Sequence, residues 1–209
     1  FHLCLLRGVS GLKRTSRKAL ANGGEFAEVY VEHRISRAIQ MQEAKFKGAV
    51  FGISQGAGVR VISGDKTGYA YTDELSEEKL LRAAEVASYI ARNSAGIKPV
   101  DVKEVKHPSY VTVKMPLHEI ADAKRLDVMQ RANQAGLDYD QRIKMMTIEY
   151  HDEVRSRIIA NSEGLWVSDE LPLLFFVVQA LAVGNDTRHM GRERLDRKST
   201  RLNSSHRIR

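Results

Sequence analysis

Three places in this 209-residue chain set chemically capable side chains close together. His118-Glu119 opens like a zinc-protease helix, in which two imidazoles and a carboxylate surround one metal ion. The second imidazole is missing: Asp122 stands at the four-residue spacing and Ala123 at the five-residue spacing, so the pair reads as the polar first turn of a helix. His151-Asp152-Glu153 offers three possible ligands in a row. Consecutive strand residues point to opposite faces and seldom close on one ion, so a charged hairpin turn is the better account. Gly64-Asp65-Lys66-Thr67 has the look of a nucleotide loop. A P-loop needs a glycine, four residues, then Gly-Lys-Ser/Thr and a helix; here Asp65 intervenes and a strand follows. Gly56 and Gly58 also run into Val59-Arg60-Val61-Ile62, where a dinucleotide loop would open a helix.

The remaining candidates are single residues. Arg60 can pair with a carboxylate or with a substrate carbonyl, and an ion pair on the open face of a sheet is the weightier reading. His33, His107 and His189 carry no spacing signal, and a Ser-His-Asp set cannot be read from sequence order, because it is recognised by geometry. Cys4 is the single cysteine, which excludes an internal disulfide and reads as a small apolar core residue. No catalytic, cofactor-binding or metal-ligating residue is therefore assigned.

The elements that must carry these residues are legible from turn chemistry and period. Gly48 to Glu74 reads as two strands around Ser63-Gly64-Asp65-Lys66-Thr67-Gly68, with Gly64 supplying the positive φ of a hairpin turn. Upstream, Ser10 to Asn22 predicts a short helix stopped by Gly23-Gly24. Phe26 to Arg34 predicts a strand, and Ile35 to Phe46 another that can pair with it or with the central hairpin. Ser76 to Asn93 is the clearest helix: Ser76 stands at the N-cap, Glu77 and Glu78 in the first turn, and Leu80, Ala83, Ala84, Ala87, Ile90 and Ala91 share one face. Ile97 to Pro108 reads as a connector. A helix is expected from about Leu117 to Ala135, stopped by Gly136. Strands follow from Asp140, with turns near His151-Asp152-Glu153 and at Asn161-Ser162-Glu163-Gly164, then Leu165 to Asp169 and Leu173 to Val183. Long, mostly antiparallel hairpins with two main helices packed on the sheet give an α+β fold.

The string GAGVRVISGDKTGYAYTDEL, with GGEFAEVYVE upstream, resembles the amino-terminal domain of the TldD/PmbA family of zinc metalloproteases, the TldD branch more than the PmbA branch. Asp140-x-Arg142-Ile143 and Ile159-Ala160-Asn161-Ser162-Glu163-Gly164 are similar to the same family, and the resemblance covers roughly residues 10 to 190. It implies a parent that hydrolyses unstructured peptides with zinc, in the cytoplasm, beside a PmbA-like or self subunit. The family's His-Glu-x-x-x-His motif does not occur in these residues, so zinc belongs to a missing catalytic half and the chain itself is expected to be inactive. A non-catalytic assembly or binding subunit of the PmbA-like type is the alternative.

Composition agrees with an ordinary folded domain, at 43% hydrophobic and 28% charged residues. The net charge of +7 argues for nucleic acid only until it is located: residues 196–209 hold five Lys/Arg and one Asp, a net of +4, which leaves +7 − 4 = +3 for the rest. Residues 195–209 resemble translated sequencing-adapter sequence and are expected to be a non-native tail, with 1–194 a single amino-terminal family domain. No partner membrane is expected, because the apolar run Leu171 to Val183 is too short to span a bilayer and is broken by Pro172 and Gln179. The opening FHLCLLR lacks a starting Met and a secretion-signal layout, so the chain is expected to begin within a longer protein.

Overall fold

A computed structural model describes residues 8–91, 103–104, 116–184 and 186–197. In chain order these form α1 (Gly8–Ala19), β1 (Phe26–Gln42), β2 (Lys45–Ser63), β3 (Lys66–Thr72), α2 (Glu77–Ile90) and the two-residue β4 (Lys103–Glu104). A single 3-10 turn (Leu117–Glu119) then leads to α3 (Asp122–Tyr139), β5 (Ile143–Asn161), β6 (Leu165–Val183) and β7 (Arg188–Arg197). The strands lie in the order β3-β2-β1-β5-β6-β4, and β7 also pairs with β6. The fold is α+β and built on long hairpins, as the residues predict.

Two compact units divide the chain. One draws on Phe1–Arg34, Ile53–Pro108 and Arg155–Glu170, the other on Ile35–Gly52, Ser109–Val154 and Leu171–Arg209. In the first, β1 alternates strictly: Ala27, Val29, Val31 and His33 are buried, while Glu28, Tyr30, Glu32 and Arg34 are half-exposed. The buried set joins Val59 and Val61 of β2, Ile158, Ala160 and Trp166, and the apolar faces of α1 and α2. In the second unit, Ile39, Met41, Met146, Ile148 and Tyr150 pack with Met129 of α3.

The central hairpin forms around Gly64 at φ 59°, in the left-handed region that a Cβ makes costly. Its register runs Ser63↔Lys66 to Ala57↔Thr72. Gly68, Ala70 and Thr72 face α2, and Tyr69 and Tyr71 face away. The cause is close approach: a Cβ on Gly68 would lie 1.9 Å from the Ala87 carbonyl oxygen. An alanine-rich helix face lets the helix settle directly on the strand.

Several sequence expectations are corrected. β1 runs unbroken through Ile35 to Gln42 and turns at Glu43 (φ 51°) and Ala44 (φ 58°), the paired positive angles of a tight hairpin. His151-Asp152-Glu153 is not a turn but the middle of β5, where Asp152 finds its counter-charge in Arg125 of α3. β6 passes through Pro172, which sits between the residues paired with β4 and those paired with β7. A residue lacking an N–H is tolerated on such a stretch of edge. α3 continues past Gly136, whose missing side chain leaves room for Met146. Ser76 stands at the N-cap of α2 in an extended conformation, but its hydroxyl makes no capping bond. β7 carries regular pairing as far as Arg197 opposite Leu174. Cys4, His107, residues 198–209 and most of the Ile97–Pro108 connector lie outside the described residues.

Gly64→Val is expected to lower stability by more than about 1 kcal/mol through backbone strain. Gly68→Ala is expected to cost about 1–3 kcal/mol by overpacking against α2. Urea denaturation monitored by circular dichroism measures both, and an unchanged midpoint in either would contradict the assigned conformation.

Candidate functional site

The residues singled out by sequence do not converge. His118 and Glu119 sit exposed on the 3-10 turn, 4.0 Å apart, and Asp122 turns instead to Arg125 at 3.0 Å. In β5, His151 is exposed, Asp152 buried and Glu153 half-buried, so the three alternate as strand geometry demands. His33 is buried on the core side of β1, and burial holds its imidazole below the usual pKa. His189 is exposed on β7. Among the described residues no three His, Cys, Asp or Glu side chains lie close enough to hold a metal ion. These donors do not fit a zinc site.

What sequence reading missed is the buried polar centre of the second unit. Arg125, 2% exposed, donates from Nε to Asp152 Oδ2 at 2.9 Å and from Nη2 to the Leu117 carbonyl at 2.6 Å. Its Nη1 reaches Asp122 Oδ1 at 3.0 Å and the Ile120 carbonyl. Asp152, 4% exposed, also accepts from the Tyr150 hydroxyl at 3.1 Å and lies 3.8 Å from Arg37. Burial opposes the charge on Arg125, but the hydrogen bond and charge of Asp152 more than offset it, so its pKa lies above the ordinary value. Burial, then the Asp152 charge, pushes the Tyr150 phenol up to about 12. Every partner is structural: the cluster fastens the 3-10 turn and the start of α3 to β5. Its signal in the sequence is the place of Arg125, four residues after Ala121 and three before Val128, on the apolar side of α3.

The other conspicuous blocks are also fastenings. Asn161 Oδ1 accepts from the Glu163 and Leu165 amides at 3.1 and 2.9 Å, closing the β5–β6 turn with Gly164 at φ 96°. Ser162 exchanges bonds with Ala27, its amide donating to the carbonyl at 2.8 Å and its hydroxyl accepting from the amide at 3.0 Å. Asp140 receives the Arg142 guanidinium at 2.6 to 3.2 Å and the Arg142 amide at 2.8 Å, which holds its carboxyl down at about 2. Arg60 pairs with Glu28 at 3.2 Å on the open face of the first unit.

On that open face lies a cavity. It is a cleft of about 340 Å³ lined by Tyr30, Glu32, Ser54, Gly56, Gly58, Tyr69, Tyr71 and Asp73 among others. Burial, then the hydrogen bond to Glu32 at 2.6 Å, pushes the Tyr30 phenol up to about 12.

Comparison with known proteins decides the family. Residues 27–91 match the model of PmbA/TldA metallopeptidase domain 1, and residues 116–200 match the PmbA/TldA metallopeptidase central domain. The chain belongs to the PmbA/TldD metallopeptidase family. It is 26% identical over 169 residues to the metalloprotease TldD homologue of Buchnera aphidicola, covering 80% of this chain and 35% of that protein. The Haemophilus influenzae homologue is 24% identical over the same length and coverage. The chain thus spans about a third of the length of the relatives it matches. The fold is that of a proposed DNA gyrase modulator from Thermotoga maritima, with TM-score 0.73 and 18% identity over 93% of this chain and 44% of that one. It is likewise that of TldE from Thermococcus kodakarensis, with TM-score 0.65 and 17% identity over 90% of this chain and 43% of that one.

Asp152→Ala is expected to destabilise by about 3–5 kcal/mol, because it leaves Arg125 buried without its counter-charge. Replacing both members, Arg125→Met with Asp152→Leu, should recover much of the loss in guanidinium denaturation. For Asp140, the depressed folded pKa means a stabilising contribution present above the unfolded value and lost as pH falls towards about 2. A carbon-detected NMR titration should place its midpoint there, and Arg142→Gln should raise it towards the ordinary carboxylate range, the bond from the residue-142 amide remaining.

Proposed function

We propose that this chain is the scaffold portion of a TldD-like zinc metallopeptidase acting on unstructured peptides, in which these residues shape the molecule and its substrate passage. The supporting observation is the match to two successive domains of the family in a chain spanning about a third of its relatives' length. The described side chains compose no metal site, so the zinc and the residues that activate its water are assigned to the length these residues do not match. The contribution of this chain is rigidity: long strands stapled by Arg125–Asp152, Ser162–Ala27 and Asp140–Arg142. In this reading the protein works in the cytoplasm beside a PmbA-like or self subunit. Among the described residues no helix is long and apolar enough to cross a membrane.

The test compares two proteins at matched concentration. The 209-residue chain should bind zinc no more tightly than scattered surface histidines do, and should leave unstructured peptides uncut. A full-length protein carrying His-Glu-x-x-x-His should lose peptide cleavage to a chelator and regain it with zinc. Stoichiometric zinc with cleavage by the 209-residue chain would overturn the assignment. An inactive, chelator-indifferent full-length protein would favour a non-catalytic assembly subunit.

A further inference from the structure

The open face of the first unit is built differently at one place from the ion-paired surface around it. Glu28–Arg60 at 3.2 Å joins β1 to β2 on one side, and the Arg34 Nε bond to Ser54 at 3.1 Å joins them on the other. Between these ties, Tyr30 and Glu32 of β1 and Gly56 and Gly58 of β2 line a trough, in which Gly56 has no side chain to fill it and the place of a side chain at Gly58 is taken by Tyr69. Tyr71 lies opposite Gly58 in the β2–β3 register. The tip of Tyr69 reaches over Gly58, whose added Cβ would fall 2.5 Å from the phenolic oxygen. The trough is therefore floored by backbone and walled by aromatic rings.

The charged residues that line it are both acidic. Glu32 and Asp73 line the cleft with three tyrosines, and no Lys, Arg or His is among its lining residues. Tyr30 and Arg155 both approach the same oxygen of Glu32, Oε2, the latter from 3.8 Å. Tyr69 and Tyr71 are 59% and 80% exposed, an unusual state for two large aromatics on adjacent same-face positions of one strand. Aromatic faces attract cations through the ring quadrupole, and carboxylates beside them set the sign of the guest. The aliphatic stem of a lysine or arginine matches the rest of the wall, because such side chains lay their methylenes on apolar surface and keep the charge at the tip.

We propose that this trough is a binding subsite for a basic side chain, lysine or arginine, presented by a polypeptide. The inference stands on the cleft itself and holds whichever subunit type the parent is. A polypeptide is favoured over a free diamine because the cleft is open and carries its carboxylates at one position on β1 and one beyond the end of β3. That arrangement leaves room for the backbone that carries the guest. It would add affinity for basic segments at a place that performs no chemistry.

The 209-residue chain, labelled with nitrogen-15, is titrated with acetyl-Ala-Lys-Ala-amide, with the norleucine counterpart that keeps the stem and lacks the charge, and with putrescine. The lysine peptide should shift the amides of Gly56, Gly58 and Tyr69 to Asp73 saturably, with a midpoint of about 1 mM. Tyr71→Ala and Asp73→Asn, both at exposed positions, should each weaken it about threefold or more while leaving distant amide peaks in place. Added salt should weaken it further. Equal shifts from the norleucine peptide would make the trough merely apolar and overturn the proposal. So would putrescine binding as tightly as the peptide, or no saturable shift from the lysine peptide at about ten times that midpoint.

Discussion

Register over length is the constraint on which this structure depends. β1 runs for 17 residues and β2, β5 and β6 for 19 each, and all four contribute residues to both compact units. A strand's side chains alternate with a period of two, so a slip of one residue would turn Val29, Val31 and Ile39 out of their cores together. Hydrophobic burial resists that slip only where a core exists. Polar ties hold it elsewhere: Arg34 to Ser54 and Glu28 to Arg60 between β1 and β2, Ser162 to Ala27 at the base of β1, and Arg157 to Asp169 at 2.9 Å between β5 and β6.

The same need explains why residues with chemical potential are spent on structure. Asp152 sits at a buried position in β5, where an unpaired carboxylate would be costly, and Arg125 reaches it from α3. Arg125 in turn donates to the carbonyls of Leu117 and Ile120 at the 3-10 turn. The Asn161-Ser162-Glu163-Gly164 block acts similarly as a turn whose side chains bond back to the chain. The family-like blocks at Asp140–Arg142 and Asn161–Gly164 thus act here as fastenings.

A scaffold of long, stapled hairpins can hold geometry over distance with few loops. Among the described residues, α1 and α2 cover only one side of the first unit's sheet and leave its other face open. The glycines at 56 and 58 and the tyrosines at 69 and 71 were visible as turn and strand residues, but their joint effect exists only across three strands.

Local features were determined by the sequence itself. The Gly64 hairpin, the helix beginning after Ser76, the turn at Gly164 and the family blocks are all set by neighbours a few residues apart, through turn chemistry, period and capping position. What the tertiary structure alone decided involves residues far apart in the chain. A charged triplet reads as a turn until Arg125, 27 residues before Asp152, supplies the counter-charge that lets β5 continue. Gly136 reads as a helix stop until Met146 fills the space beside it. Tyr69 and Tyr71 read only as strand residues until α2 packs so closely on Gly68 that a Cβ there would meet the Ala87 carbonyl, which sends the tyrosines to the other face. In each case the deciding energy is a contact between elements, and local pattern carries no record of which element will supply it.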